Sequence, residues 1–150
     1  MLQLRAAEAA DVPVMFELIG ELADYERLRH KMVGDANDLR RHLFGEPRFA
    51  QALLAQWGGA PAGFALYFFN YSTFLCRPGL YLEDLFVRPA HRGRGIGLAL
   101  LQALEQRARD AGCGRLDWAV LDWNQSAIDF YRRFGAQPMR DWILYRKELL

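Results

Sequence analysis

The stretch PAHRGRGIGLALL, residues 89–101, constrains this chain more than any other. Gly93, Gly95 and Gly97 alternate, Arg92 and Arg94 stand among them, and a run of helix formers follows. A turn needs one glycine. Glycines at alternate positions let successive backbone N–H groups converge on an anion with no Cβ atoms in the way. The N-terminus of the following helix adds unpaired N–H groups and its dipole. The arginines add full charges. Just upstream, GLYLEDLFVRP reads as a strand stopped by Pro89. The unit is therefore strand, anion loop, helix. Two familiar phosphate patterns fail. No Gly-Lys-Ser/Thr follows the glycines, and a dinucleotide GxGxxG needs glycine where Leu98 stands. Two readings remain, a pyrophosphate cradle spanning Arg92, Gly93, Arg94, Gly95, Ile96, Gly97 and Leu98, or a flexible basic turn.

The rest of the chain supplies a sheet for that unit. LQLR alternates as a first strand, and Asp11 is placed to cap a helix carrying Met15, Leu18, Ile19, Leu22 and Tyr25 on one face. A second helix is expected over Asp35 to Leu43, ended by Gly45 and Pro47. FAQALLAQW and PAGFALYFFNY flank a GGAP turn and read as a hairpin. The helix after the glycines should run to about Ala111 and close at Gly112. RLDWAVL reads as a fifth strand, NQSAIDFYRRF as a helix capped by Asn124 and closed by Gly135, and WILYRKEL as a last strand. This order predicts one α/β domain over residues 1–150, with a mixed sheet and helices on both faces.

Charge narrows the partners. The formal net charge is +1, so neither nucleic acid nor an anionic membrane is an expected partner. Cys76 and Cys113 form no CxxC or Cys/His cluster, which gives no metal or disulfide signature and fits reduced, partly buried thiols in the cytoplasm. The N-terminus lacks a signal-peptide core, and the longest apolar stretch, GFALYFF, is far too short to span a bilayer.

Read together, LEDLFVRPAHRGRGIGLALL and VLDWNQSAIDFYRRFGA resemble motifs A and B of the GNAT family of acetyl-CoA-dependent N-acetyltransferases. The closer resemblance is to the diamine (spermidine/spermine) and thialysine N-acetyltransferase branch, through YLED-F-V, RG-GIG, WN--AI-FY---GA and the early YE. The resemblance implies a mixed, mostly antiparallel sheet of about six to seven strands, with a splayed pair of parallel strands at the cofactor site. It implies that Leu85, Phe86 and Val87 pair with the pantetheine arm of acetyl-CoA and that the loop amides hold its pyrophosphate. Asn124, Gln125, Ser126 and Ala127 match positions near the pantetheine and acetyl end. Asn124 also suits a helix cap.

Tyr131 matches the family's general acid. Acetyl transfer to an amine expels a thiolate whose conjugate acid has a pKa of about 8.5, and a phenol at about 10 can share a proton with it. Beside Phe130 the same tyrosine also suits core packing. An alkyl ammonium, at about 10.4, must lose a proton before it attacks. Glu83 matches the branch's water-mediated base; a solvated surface charge is its other reading. Neighbouring strand residues point to opposite faces, so Glu83 and Asp84 can share one job only on a bulged strand.

A cationic acceptor needs spaced carboxylates, and Glu26, Glu83, Asp84, Asp117, Asp122 and Asp141 are candidates. Tyr25 next to Glu26 combines cation–π and charge attraction, or is simply part of the helix stripe. The resemblance adds Trp142 and the strand end Asp117, Trp118 and Ala119 to the acceptor site. Trp118 and Trp123 also suit packing. The preceding loop, AQPMRD, is shorter than in the polyamine enzymes, which keeps shorter diamines and amino acids in play. The implied activity is direct transfer from acetyl-CoA to a small amine, with no metal and typically in a homodimer. Acetylation of a protein amine and a non-catalytic acyl-CoA sensor are the competing readings.

Overall fold

A computed structural model describes residues 1–150, which fall into two compact units, Met1–Ala119 and Val120–Leu150. In the first unit the elements are β1 (Leu2–Ala6), α1 (Val12–Tyr25), α2 (Ala36–Phe44), β2 (Gln51–Trp57), β3 (Ala60–Ser72), β4 (Arg77–Val87), α3 (Ile96–Asp110) and β5 (Arg115–Trp118). The second unit holds α4 (Gln125–Phe134). The sheet order is β1-β2-β3-β4-β5. Its first three pairings are antiparallel, and β4 with β5 is parallel.

Period-2 alternation divides the sheet into two faces. Ala52, Leu54, Phe64, Leu66 and Phe86 face α1 and α2, joining Val12, Met15, Leu18, Leu22 and Leu43 in one core. The opposite face carries the buried Leu53, Ala65, Tyr67, Leu80 and Leu82. Against it lies α3, through Ile96, Leu100, Leu101, Leu104 and Ala108. Helices on both faces follow, as the element order predicts.

Five local expectations are corrected. The sheet has five strands, not six or seven. RLDWAVL contributes only its first four residues, and WILYRKEL forms no strand. Ile143, Leu144 and Tyr145 are exposed there. Alternation makes a segment fit to be a strand, but a ladder needs a neighbour to take its N–H and C=O groups. Asp11 stands at the N-cap position of α1 without a capping bond. Its carboxylate instead accepts from the Glu8 N–H at 2.7 Å and pairs with Arg5 at 2.7 Å. Asp35 does cap α2, accepting from the Asp38 N–H at 2.8 Å. Of the two thiols Cys113 is half-buried, but Cys76 is exposed. No helix is long and apolar enough to cross a membrane.

Candidate active site

The loop between β4 and α3 folds as its glycines require. Gly93 has φ 79° and Gly95 has φ 77°. Gly95 is the N-cap of α3, and no side chain caps this helix. The first intrahelical bond runs from the Ala99 N–H to the Gly95 carbonyl at 3.0 Å. The Ile96, Gly97 and Leu98 amides therefore precede the helical ladder and suit an anion. A Cβ built on Gly93 or Gly95 meets nothing within 4 Å, so the space over the turn is open.

The arginines of the loop are engaged elsewhere. Arg92 donates from Nε to the Val87 carbonyl at 2.9 Å. Its guanidinium carbon lies 5.1 Å from the Tyr25 ring centre and 5.6 Å from that of Phe86. Arg94 lies 4.8 Å from the Trp57 ring centre, with one nitrogen 3.2 Å from His91 Nδ1. The start of α3 thus presents main-chain donors with no side-chain cap, and both guanidinium groups lie over aromatic rings.

Strand β4 outruns its parallel neighbour. The β4–β5 register ends at Leu82 with Trp118, while β4 continues through Leu85, Phe86 and Val87. Those three stay paired to β3, at Ala65, Phe64 and Gly63. The side of β4 that β5 leaves is the splay expected at the pantetheine position. Arg92 already takes one bond at the Val87 carbonyl.

The splay begins at a bulge. Tyr67 pairs with Leu82, and Leu66 pairs with Asp84, so Glu83 is the extra residue. A bulge reverses the alternation. It turns Asp84 to the side of Leu66 and Phe86, toward the α1 face, and leaves Glu83 exposed. Glu26, the C-cap of α1, completes a three-carboxylate group. Burial first, then the charges of Glu83 and Glu26, push Asp84 up to about 7. Burial, then Glu83, also raises Glu26. Such a group is short of positive charge and suits a cation. Asp117 is less available, because Arg115 holds it at 3.2 Å. Trp118 ends β5, and Ala119 follows it, exposed.

The Asp84 shift carries a stability prediction. From about pH 4 to about pH 7 the folded chain keeps a proton that the unfolded chain loses. The stability linked to this group is full at the acid end, falls as pH rises through the window and is level above it. Asp84→Asn is expected to remove that slope and to be the more stable protein at pH 8, by no more than about 4 kcal/mol. Urea unfolding of both proteins at pH 5 and 8 checks this; parallel pH dependences would rule it out.

In the second unit, Asn124 caps α4 by accepting from the Ala127 N–H at 3.4 Å, and Ser126 Oγ lies 3.4 Å from the same oxygen. Gln125 donates to Asp129 at 2.8 Å. Helical spacing brings Asn124, Ala127 and Tyr131 to one side of α4. Tyr131 and Phe130 have ring centres 5.6 Å apart. Asp122 is exposed, and Asp141 and the 74% exposed Trp142 lie in the segment after α4.

One set of contacts escaped the sequence reading. Arg88 bonds Glu17 at 2.6 Å and Glu21 at 2.9 Å, tying α1 to the end of β4. Two glutamates four apart on α1, with no basic residue at the next helical position, were the available signal.

The model of the Acetyltransferase (GNAT) family matches residues 16–136, a span that takes in the uncapped loop, the bulge and α4. The chain belongs to the GNAT acetyltransferase family. As a GNAT member it is an acetyl-CoA-dependent N-acetyltransferase. It is 38% identical to thialysine N-epsilon-acetyltransferase of Bos taurus, over 97% of this chain and 91% of that one. It is 31% identical to L-ornithine N5-acetyltransferase of Arabidopsis thaliana, over 96% of this chain and 83% of that one. Among solved structures, an integron cassette protein from the mobile metagenome of V. cholerae superposes with a TM-score of 0.81 at 28% identity, covering 98% of this chain and 92% of that one. The residues at the loop fit the acetyl-CoA of a GNAT enzyme: uncapped amides for its pyrophosphate and an open strand side for its amide-bearing arm.

Proposed function

We propose that this GNAT enzyme moves acetyl from acetyl-CoA directly to the amine of a small cationic acceptor: a diamine, a polyamine or a lysine-like amino acid such as thialysine. The observation that carries the reading is the cluster of Glu26, Glu83 and Asp84 at the bulge where the splay begins. The names of the relatives support it, since thialysine and ornithine each carry an amine on a short chain. The acceptor's ammonium is attracted to the carboxylates. Glu83, the exposed member, takes the ammonium proton through water and frees the lone pair. Acetyl-CoA supplies an activated thioester. The N–C bond forms as the C–S bond breaks, the Tyr131 hydroxyl gives its proton to the departing sulfur, and the second proton of the acylated nitrogen returns through water to the Tyr131 phenolate, which leaves a neutral amide. Asp84 and Glu26 hold the acceptor's cationic end, with Tyr25 beside them; Asp141 and Trp142 complete the acceptor set. Asn124, Gln125, Ser126 and Ala127 serve the pantetheine end. In this reading residues 1–150 act as one acetyltransferase domain, in a cytoplasmic homodimer with no nucleic-acid or membrane partner; a monomer by light scattering removes the dimer.

The deciding experiment is thiol release from acetyl-CoA with spermidine, spermine, putrescine, lysine, ornithine, thialysine and a short peptide. Release with one or more free amines and little with the peptide is expected. Acetyl appearing on peptides alone would replace this reading with protein acetylation. Bound acetyl-CoA with no release from any amine would replace it with a sensor.

A further inference from the structure

Glu17, Glu21 and Tyr25 recur every four residues, which places them along one side of α1. Arg88 and Arg92 are also four apart. Arg88 grips Glu17 and Glu21, and Arg92 lies over Tyr25. The stretch from the end of β4 into the glycine loop is thus fastened to α1 at successive turns. The second fastening uses all of what Arg92 offers. Its Nε bonds the Val87 carbonyl, and its planar group lies near both the Tyr25 and Phe86 rings. An arginine, unlike a lysine, combines a directed N–H with a flat cation that stacks.

We infer that Arg92 is a positioning residue for the acceptor, holding the Tyr25–Glu26 end of α1 against the end of β4, and is not a ligand of the acetyl-CoA phosphates. Glu26 is the next residue after Tyr25 and belongs to the carboxylate group, so losing the strut displaces a cation-binding carboxylate. The pyrophosphate keeps its main-chain donors. The inference rests on the acceptor reading above for its kinetic consequence, but its structural and CoA-binding consequences stand without any acceptor.

The test compares Arg92→Ala and Arg92→Lys with the parent protein. Both variants should raise KM for the best amine of the panel roughly tenfold, the scale of an exposed cation–π contact and one hydrogen bond lost together, and change the CoA dissociation constant by less than about threefold. Amide hydrogen exchange at Glu26–Leu28 should quicken in both. A double-mutant cycle with Tyr25→Leu should show non-additive effects on the amine KM. Additive effects would overturn the inference. So would CoA binding weakened tenfold by Arg92→Ala and rescued by Arg92→Lys, because charge alone would then be serving the phosphates. Unchanged exchange at Glu26–Leu28 overturns it even if no amine proves to be a substrate. Failure of the parent protein on every amine would count against the acceptor reading alone.

Discussion

Tyr131→Phe is expected to lower turnover roughly 100-fold while leaving the CoA dissociation constant within about twofold. The substitution removes one oxygen and keeps the ring, so the packing beside Phe130 persists. The cap that starts α4 also persists, because Asn124 and the Ala127 N–H are untouched. What is lost, in the proposed mechanism, is a proton donor for the departing sulfur. A free thiolate can leave unaided, since a thiol's pKa of about 8.5 is not far above neutrality, but it then carries its full charge through the transition state. The effect should therefore fall on kcat and on kcat/KM equally. Steady-state rates at saturating acetyl-CoA, paired with calorimetric titration of CoA, separate the two quantities. A matched loss of turnover and CoA affinity would assign Tyr131 to binding and remove it as the acid.

How much of this was legible follows from which information is local. The cap of α4 lies three residues from the N–H it serves, and the spacing of Met15, Leu18 and Leu22 reports a helix face directly. The glycine loop was legible because positive φ and an uncapped helix start are properties of a few adjacent residues. The bulge was legible only as a condition. Glu83 and Asp84 could share one job only on a bulged strand, but which residue is extra depends on the register with β3, fixed far away in sequence. The same distance hid the destinations of Arg92 and Arg94. Their charges pointed to phosphate, while the rings they rest on belong to the end of α1 and the end of β2. WILYRKEL erred in the opposite direction. Its pattern is strand-like, but no strand pairs with it.

Gly95→Val is expected to weaken acetyl-CoA binding by about 100-fold, and the comparison with Gly59→Val shows why. Both glycines are left-handed, at φ 77° and 84°, and a built Cβ at either meets nothing within 4 Å. A β-branched residue in that region costs about 1–3 kcal/mol wherever it stands. Stability should thus fall by similar amounts in the two variants. Only Gly95 begins α3, where the Ile96, Gly97 and Leu98 amides lead into a helix with no side-chain cap. If the backbone there relaxes toward negative φ, those donors turn away, and if it does not, the isopropyl group occupies the anion's space. Losing one or two hydrogen bonds to a charged group, at roughly 1.5–3 kcal/mol each, gives the expected factor. Gly59 lies in the β2–β3 turn, so its variant should bind CoA as the parent does. Thermal unfolding and CoA titration of both variants make the comparison. Equal CoA affinities in the two would mean that the turn serves the fold alone and that the pyrophosphate is held elsewhere. Loss confined to Gly95→Val would establish that the alternating glycines, by keeping the main chain bare at the start of α3, are what lets this chain hold its acyl donor.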